Sequence, residues 1–127
     1  DLDGIKLSTE DKNQFDIKAR SMMPLVDAAR LLILSHNIKS INNTVERFKK
    51  LVELEPQNKD IYLFCIEAYK DLLLFRTEQG LLNADSGRFI DVQSLSKLNR
   101  LKLKRSFKAV KSVQELIQTR FKLSQLM

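Results

Sequence analysis

The sequence predicts an all-α fold of four helices, on three observations. Hydrophobic residues fill 43% and charged residues 30% of the 127 positions, while Gly and Pro number only 3 and 2. That balance suits long helices and argues against disorder or a turn-rich β fold. Four stretches repeat apolar residues at helical spacing, each bounded by capping or breaking residues. All but one of the connections are short, so an antiparallel four-helix bundle is the natural packing. A chain of this length makes one domain, large enough to bury a core but not two.

Residues 1–17 differ from the rest. Leu2, Ile5 and Leu7, then Phe15 and Ile17, flank a polar stretch and read as two short extended segments joined by a turn at residues 11–13. The sequence starts at Asp1 without an initiator Met, so this segment is expected to be the remnant of an upstream connection, with residues 18–127 forming the helical domain. The first helix is expected over residues 21–36, where Pro24 fits only in the first turn and Asn37 suits a left-handed C-terminal position. The second spans residues 44–55: Asn43 caps it, Glu46 completes a capping box, Val45, Phe48 and Val52 form its stripe, and Pro56 follows its end. The third starts after Asn58 and runs to about Gly80 or slightly beyond, and residues 83–93 have the chemistry of a loop. The fourth covers residues 97–123 with Ser96 as N-cap, Leu95 as staple, and Leu103, Phe107, Val110, Val113, Ile117 and Phe121 as core stripe.

Two charges stand out in the apolar stretch Met22 to His36: Asp27 and Arg30, three positions apart on one helical face. Buried charges are rare unless paired or bound to a ligand, so this face is a candidate site. On the third helix, Asp60, Glu67, Lys70, Asp71 and Glu78 mark the solvent stripe, and Arg76 falls opposite Glu67, among Cys65, Tyr69 and Leu72. Arg76 either snorkels past the helix end or, with Gln79, lines a polar pocket in which Asp27 is its counter-ion. On the fourth helix nine basic residues face the single Glu115, giving it +8 against +6 for the whole chain. A solvated face is the ordinary explanation, and phosphate contact through Lys104 and Lys108 is the sharper one. No aromatic residue interleaves these charges, which weighs against a single-strand nucleic-acid platform.

The catalytic inventory excludes several classes. There is no P-loop, dinucleotide turn, metal-ligand spacing or nucleophile elbow. The lone Cys65 sits in an apolar helical pattern and reads as a buried thiol, and His36 as a helix C-terminal residue favoured by the dipole. No apolar run reaches membrane-spanning length and no signal peptide is evident, so a cytoplasmic location without membrane contact is expected. Arg30 and His36 do match the R-x5-H spacing of ribonucleases with a higher-eukaryote-and-prokaryote nucleotide-binding fold. That enzyme, or a structural dimerisation bundle, is the alternative reading.

A wider resemblance runs from about Phe15 to Phe121. FDIK at 15–18, PLVDAARLL at 24–32 followed by His36 and Ile38, LLLFRTEQ at 72–79, and FIDVQSLS at 89–96 leading into Leu103 and Lys104 carry it. These segments resemble the substrate-binding domain that follows the catalytic domain in bacterial signalling nucleotidyltransferases, proteins similar to those that uridylylate or adenylylate nitrogen-regulatory proteins. The sequence departs from the family pattern at positions 20–22 and 37, where glycine is usual, and at Glu78, often a histidine. The transferase Gly-Ser and paired-Asp motif is absent from these residues. The resemblance therefore implies a non-catalytic domain that binds or positions a protein or nucleotide substrate for an upstream nucleotidyltransferase. Asp27, Arg30, Arg76, Gln79, Lys104 and Lys108 are the expected contacts. No metal or cofactor is expected in this chain, Mg²⁺ and NTP belonging to the missing catalytic domain. A homodimer is a further expectation, and nucleic acid is not an expected partner.

Overall fold

A computed structural model describes residues 14–126 of the chain. Four helices dominate these residues: α1 (Met23–Leu34), α2 (Thr44–Leu54), α3 (Lys59–Asn83) and α4 (Lys97–Leu126). Two three-residue strands, β1 (Gln14–Asp16) and β2 (Phe89–Asp91), pair antiparallel with Phe15 opposite Ile90. The expected all-α bundle is the architecture found. Its one addition is this ribbon: β1 falls in the second segment expected to be extended, and β2 uses residues expected to be loop. Only Ile90 of β2 is buried, too short an alternation to read as a strand, and its partner lies 75 residues earlier in the chain. The first expected extended segment and the turn at 11–13 fall outside the described residues.

Local chemistry explains the helix bounds. The helical run begins earlier than expected, with a π-helical turn at Lys18–Met22 leading into α1 and Pro24 in α1's first turn. Asn37 ends the run with φ 60, the left-handed conformation expected of it at the helix C-terminus. At α2 the Asn43 side chain accepts from the Glu46 backbone N–H at 3.1 Å, while the Glu46 carboxylate turns to Lys49 instead of closing a reciprocal box. At α4 the Ser96 hydroxyl accepts from the Asn99 N–H at 3.1 Å. Helix α3 runs past Gly80 and stops at Ala84, which takes φ 55 at the cost of Cβ strain.

Around the bundle α1 packs on α2 and α4, and α3 on the same two helices, so α1 and α3 lie diagonally across the core. α3 and α4 are antiparallel, with Cys65 beside Ala109 and Glu67 beside Arg105. The C-terminal ends of α1 and α2 meet, His36 touching Glu55, because residues 35–43 carry the chain back before α2 begins. At the opposite end the ribbon closes the core: Phe15 and Ile90 are fully buried and Phe15 packs on Phe107 with centroids 5.4 Å apart. Asp16 ties the ribbon down, accepting two hydrogen bonds from Arg88 at 2.8 and 3.0 Å and one from the Ala19 N–H. Arg88 holds the Asp16 carboxyl below the usual carboxylate range.

Candidate functional site

The charges of α1 face water. Leu25, Ala28, Ala29, Leu32 and Ile33 form the buried stripe, whereas Asp27, Arg30, Leu31 and Leu34 share the exposed side. Asp27 makes no ion pair among the described residues, and Arg76 lies on the diagonally placed α3. The expected buried Asp27–Arg76 pair is therefore not formed. A bundle helix buries only a stripe, and two of the leucines that framed Asp27 stay exposed with it.

Arg76 is half-buried near the end of α3, where the chain doubles back on the helix. Its Nε donates to the Ser86 carbonyl at 3.0 Å, and the Asp85 carboxylate accepts from the Gly87 N–H at 2.7 Å. Gly87 makes this fold-back feasible. It takes φ +70, and a Cβ there would stand 1.9 Å from the Arg76 carbonyl oxygen. The terminal nitrogens of Arg76 keep no hydrogen bond among the described residues, and the side chain lines a cavity of about 510 Å³ with Thr77, Leu81, Asp85 and Ser86. Gln79 is half-buried one turn on. This corner can offer a planar guanidinium to a carboxylate or phosphate.

On α4, Lys104 is half-buried and already engaged, and Lys108 is exposed one turn further. Lys104 lines a second cavity, about 540 Å³, with Lys97, Leu98, Arg100 and Leu101. Arg100 also donates to the Val92 carbonyl at 3.2 Å, fastening the start of α4 to the segment after β2. The six expected contacts thus occupy three places, the outer face of α1, the end of α3 and the first half of α4, and not one pocket.

The most connected polar group in the bundle is one that sequence reasoning treated as a helix end. Glu55 is 4% exposed, and its carboxylate accepts from both terminal nitrogens of Arg120, from Nε2 of His36 at 2.7 Å, from the Tyr62 hydroxyl at 2.7 Å and from Asn58 at 3.0 Å. Burial alone would raise its pKa, but these hydrogen bonds outweigh it and lower the carboxyl to about 2. The same burial and the Glu55 charge push the Tyr62 hydroxyl up. A carboxylate so occupied is a poor proton acceptor near neutral pH, and the cluster fastens four helix ends. It also commits His36 to Glu55 while Arg30 stays on the solvent face of α1. Burial raises the Cys65 thiol to about 12, in keeping with an inert core residue.

Among the described residues no group of three or more His, Cys, Asp or Glu side chains is placed to hold a metal ion, and no helix is long and apolar enough to cross a membrane. A family model described as "Putative nucleotidyltransferase substrate binding domain" matches residues 2–121. The chain belongs to this family. The match takes in the ribbon, α1 to α3, the Arg76 corner, the Glu55 cluster and all but the end of α4, so every feature described above lies within the matched span. Neither the curated proteins nor the solved structures gave a match.

Proposed function

We propose that this domain is the non-catalytic, substrate-holding part of a nucleotidyltransferase whose catalytic domain precedes it in the same polypeptide and acts in nucleotide-linked signalling. The observation that carries this reading is the family match over residues 2–121, and the Arg76 corner gives it a physical form. A guanidinium anchored through Nε at 3.0 Å, on a residue that lines a cavity and with terminal nitrogens that make no hydrogen bond among the described residues, is preorganised to grip an anionic group of the substrate. Gln79 adds a neutral hydrogen-bonding side chain beside it. Lys104 and Lys108 supply longer-range attraction from α4, and Asp27 and Arg30 meet the substrate from the outer face of α1. Mg²⁺ and the NTP are held by the catalytic domain.

The test is kinetic, in the full-length enzyme. Substituting Arg76→Lys keeps the charge but loses the fork, so KM for the acceptor is expected to rise about tenfold or more while KM for the NTP holds. Loss confined to the NTP, or none with Arg76→Lys and Gln79→Ala together, would remove the substrate from this corner. The 127-residue chain alone is expected to incorporate no labelled nucleotide into itself or an acceptor in the presence of Mg²⁺.

A further inference from the structure

The outer face of α4 carries a line of basic residues, three of them exposed lysines. Lys97, Lys108 and Lys111 are exposed and make no ion pair among the described residues, and Arg100 and Lys104, which hold other contacts too, continue their line. At 100° per residue these five positions fall within an arc of about 80°, a narrow band along the first four turns. The first acidic residue of the helix, Glu115, comes one turn after Lys111. The N-terminal end of the helix dipole lies beneath the band and adds to its potential.

Beside the lysines sit two leucines that a solvated face does not need. Leu98 and Leu101 are 60% and 55% exposed and line the 540 Å³ cavity together with Lys97 and Lys104. An apolar cavity rimmed by cations is complementary to an apolar ridge rimmed by carboxylates. Successive i, i+4 steps rise about 6 Å, so carboxylates at the same spacing on a second helix would meet the lysines in register. A phosphate backbone would use the charges but leave the leucines wet, and the band offers no aromatic ring on which bases could stack.

We propose that this face of α4 docks an acidic, amphipathic helical segment of a partner protein, its apolar ridge seated on Leu98 and Leu101. The proposal deepens the substrate-holding reading by making the held molecule a protein, and its test needs no catalysis. The probe is a fluorescein-labelled peptide of about 18 residues, long enough to be helical, with leucines on one face and glutamates beside them. Its controls are the same peptide with serines for leucines and a single-stranded oligouridylate of similar length. The leucine peptide is expected to bind the chain more tightly than either control. The triple variant Lys97→Glu, Lys108→Glu, Lys111→Glu is expected to weaken it by about tenfold or more. Leu98→Ser with Leu101→Ser is expected to erase the preference for leucines, with circular dichroism showing both variants folded. Equal binding of the two peptides, tighter binding of the oligouridylate, unchanged binding by the variants, or binding only after residues 1–13 are deleted would each overturn the proposal. Intact peptide binding beside a full-length enzyme indifferent to Arg76 would instead strike the substrate-holding reading.

Discussion

Glu55 shows how much one side chain can hold. Its carboxyl titrates at about 2 in the folded chain against a reference value of 4.5. A depressed carboxylate contributes stability above the unfolded pKa, and that stability is lost as pH falls through the folded value, here between 4.5 and about 2. At about 1.4 kcal/mol per pH unit, the contribution is of order 3 kcal/mol. Glu55→Gln is therefore expected to destabilise the domain by about 3 kcal/mol at neutral pH, leaving Arg120 without its counter-charge, and to flatten the loss of stability below pH 4.5. Urea titrations of both proteins at pH 7 and pH 3 check this, and a parallel acid limb in the variant would assign it elsewhere. None of this was legible in the sequence: a glutamate before a proline looks like a helix end, and its partners lie up to 65 positions away. Asp27 misled in the opposite direction, since apolar neighbours suggest burial only where they belong to the packed stripe.

Among the elements, those set by local chemistry were legible and those set by distant pairing were not. Asn43 and Ser96 announce α2 and α4 because a cap needs only the next three residues. The ribbon needs Phe15 to meet Ile90, and nothing near either residue signals the other. The turn from α3 into β2 is where local strain can be tested. Ala84 holds φ 55, a conformation glycine adopts freely, so Ala84→Gly is expected to stabilise the domain by about 0.5–1 kcal/mol. Gly87→Ala should do the reverse, costing at least about 2 kcal/mol, because the left-handed φ and the 1.9 Å approach to the Arg76 carbonyl oppose a Cβ together. Thermal unfolding of the two variants reads both signs. A stable Gly87→Ala protein would mean the fold-back does not press on α3 as described.

For the whole molecule, the diagonal placement of α1 and α3 decides what the candidate residues can do jointly. Fold class and helix number follow from periodicity, but which helices become neighbours depends on connections such as residues 35–43, whose path no pattern reveals. The sequence therefore singled out Arg76 as an unusual arginine with two readings, and the one that paired it with Asp27 is not the contact formed, the Ser86 carbonyl standing in that place. That geometry makes Asp27 and Arg76 energetically independent. Asp27→Ala, at an exposed position without an ion pair, is expected to change stability by less than about 1 kcal/mol. Combined with Arg76→Leu, the two changes should add to within about 0.5 kcal/mol. Arg76→Leu alone should loosen the Ser86 segment, with faster amide exchange at residues 84–88 and no change in α1. A coupling energy of about 1 kcal/mol or more between the two sites would require α1 and α3 to approach each other, in a state of the domain distinct from this bundle. Additivity would leave α1 and the end of α3 as separate surfaces, each available to a different part of one bound substrate.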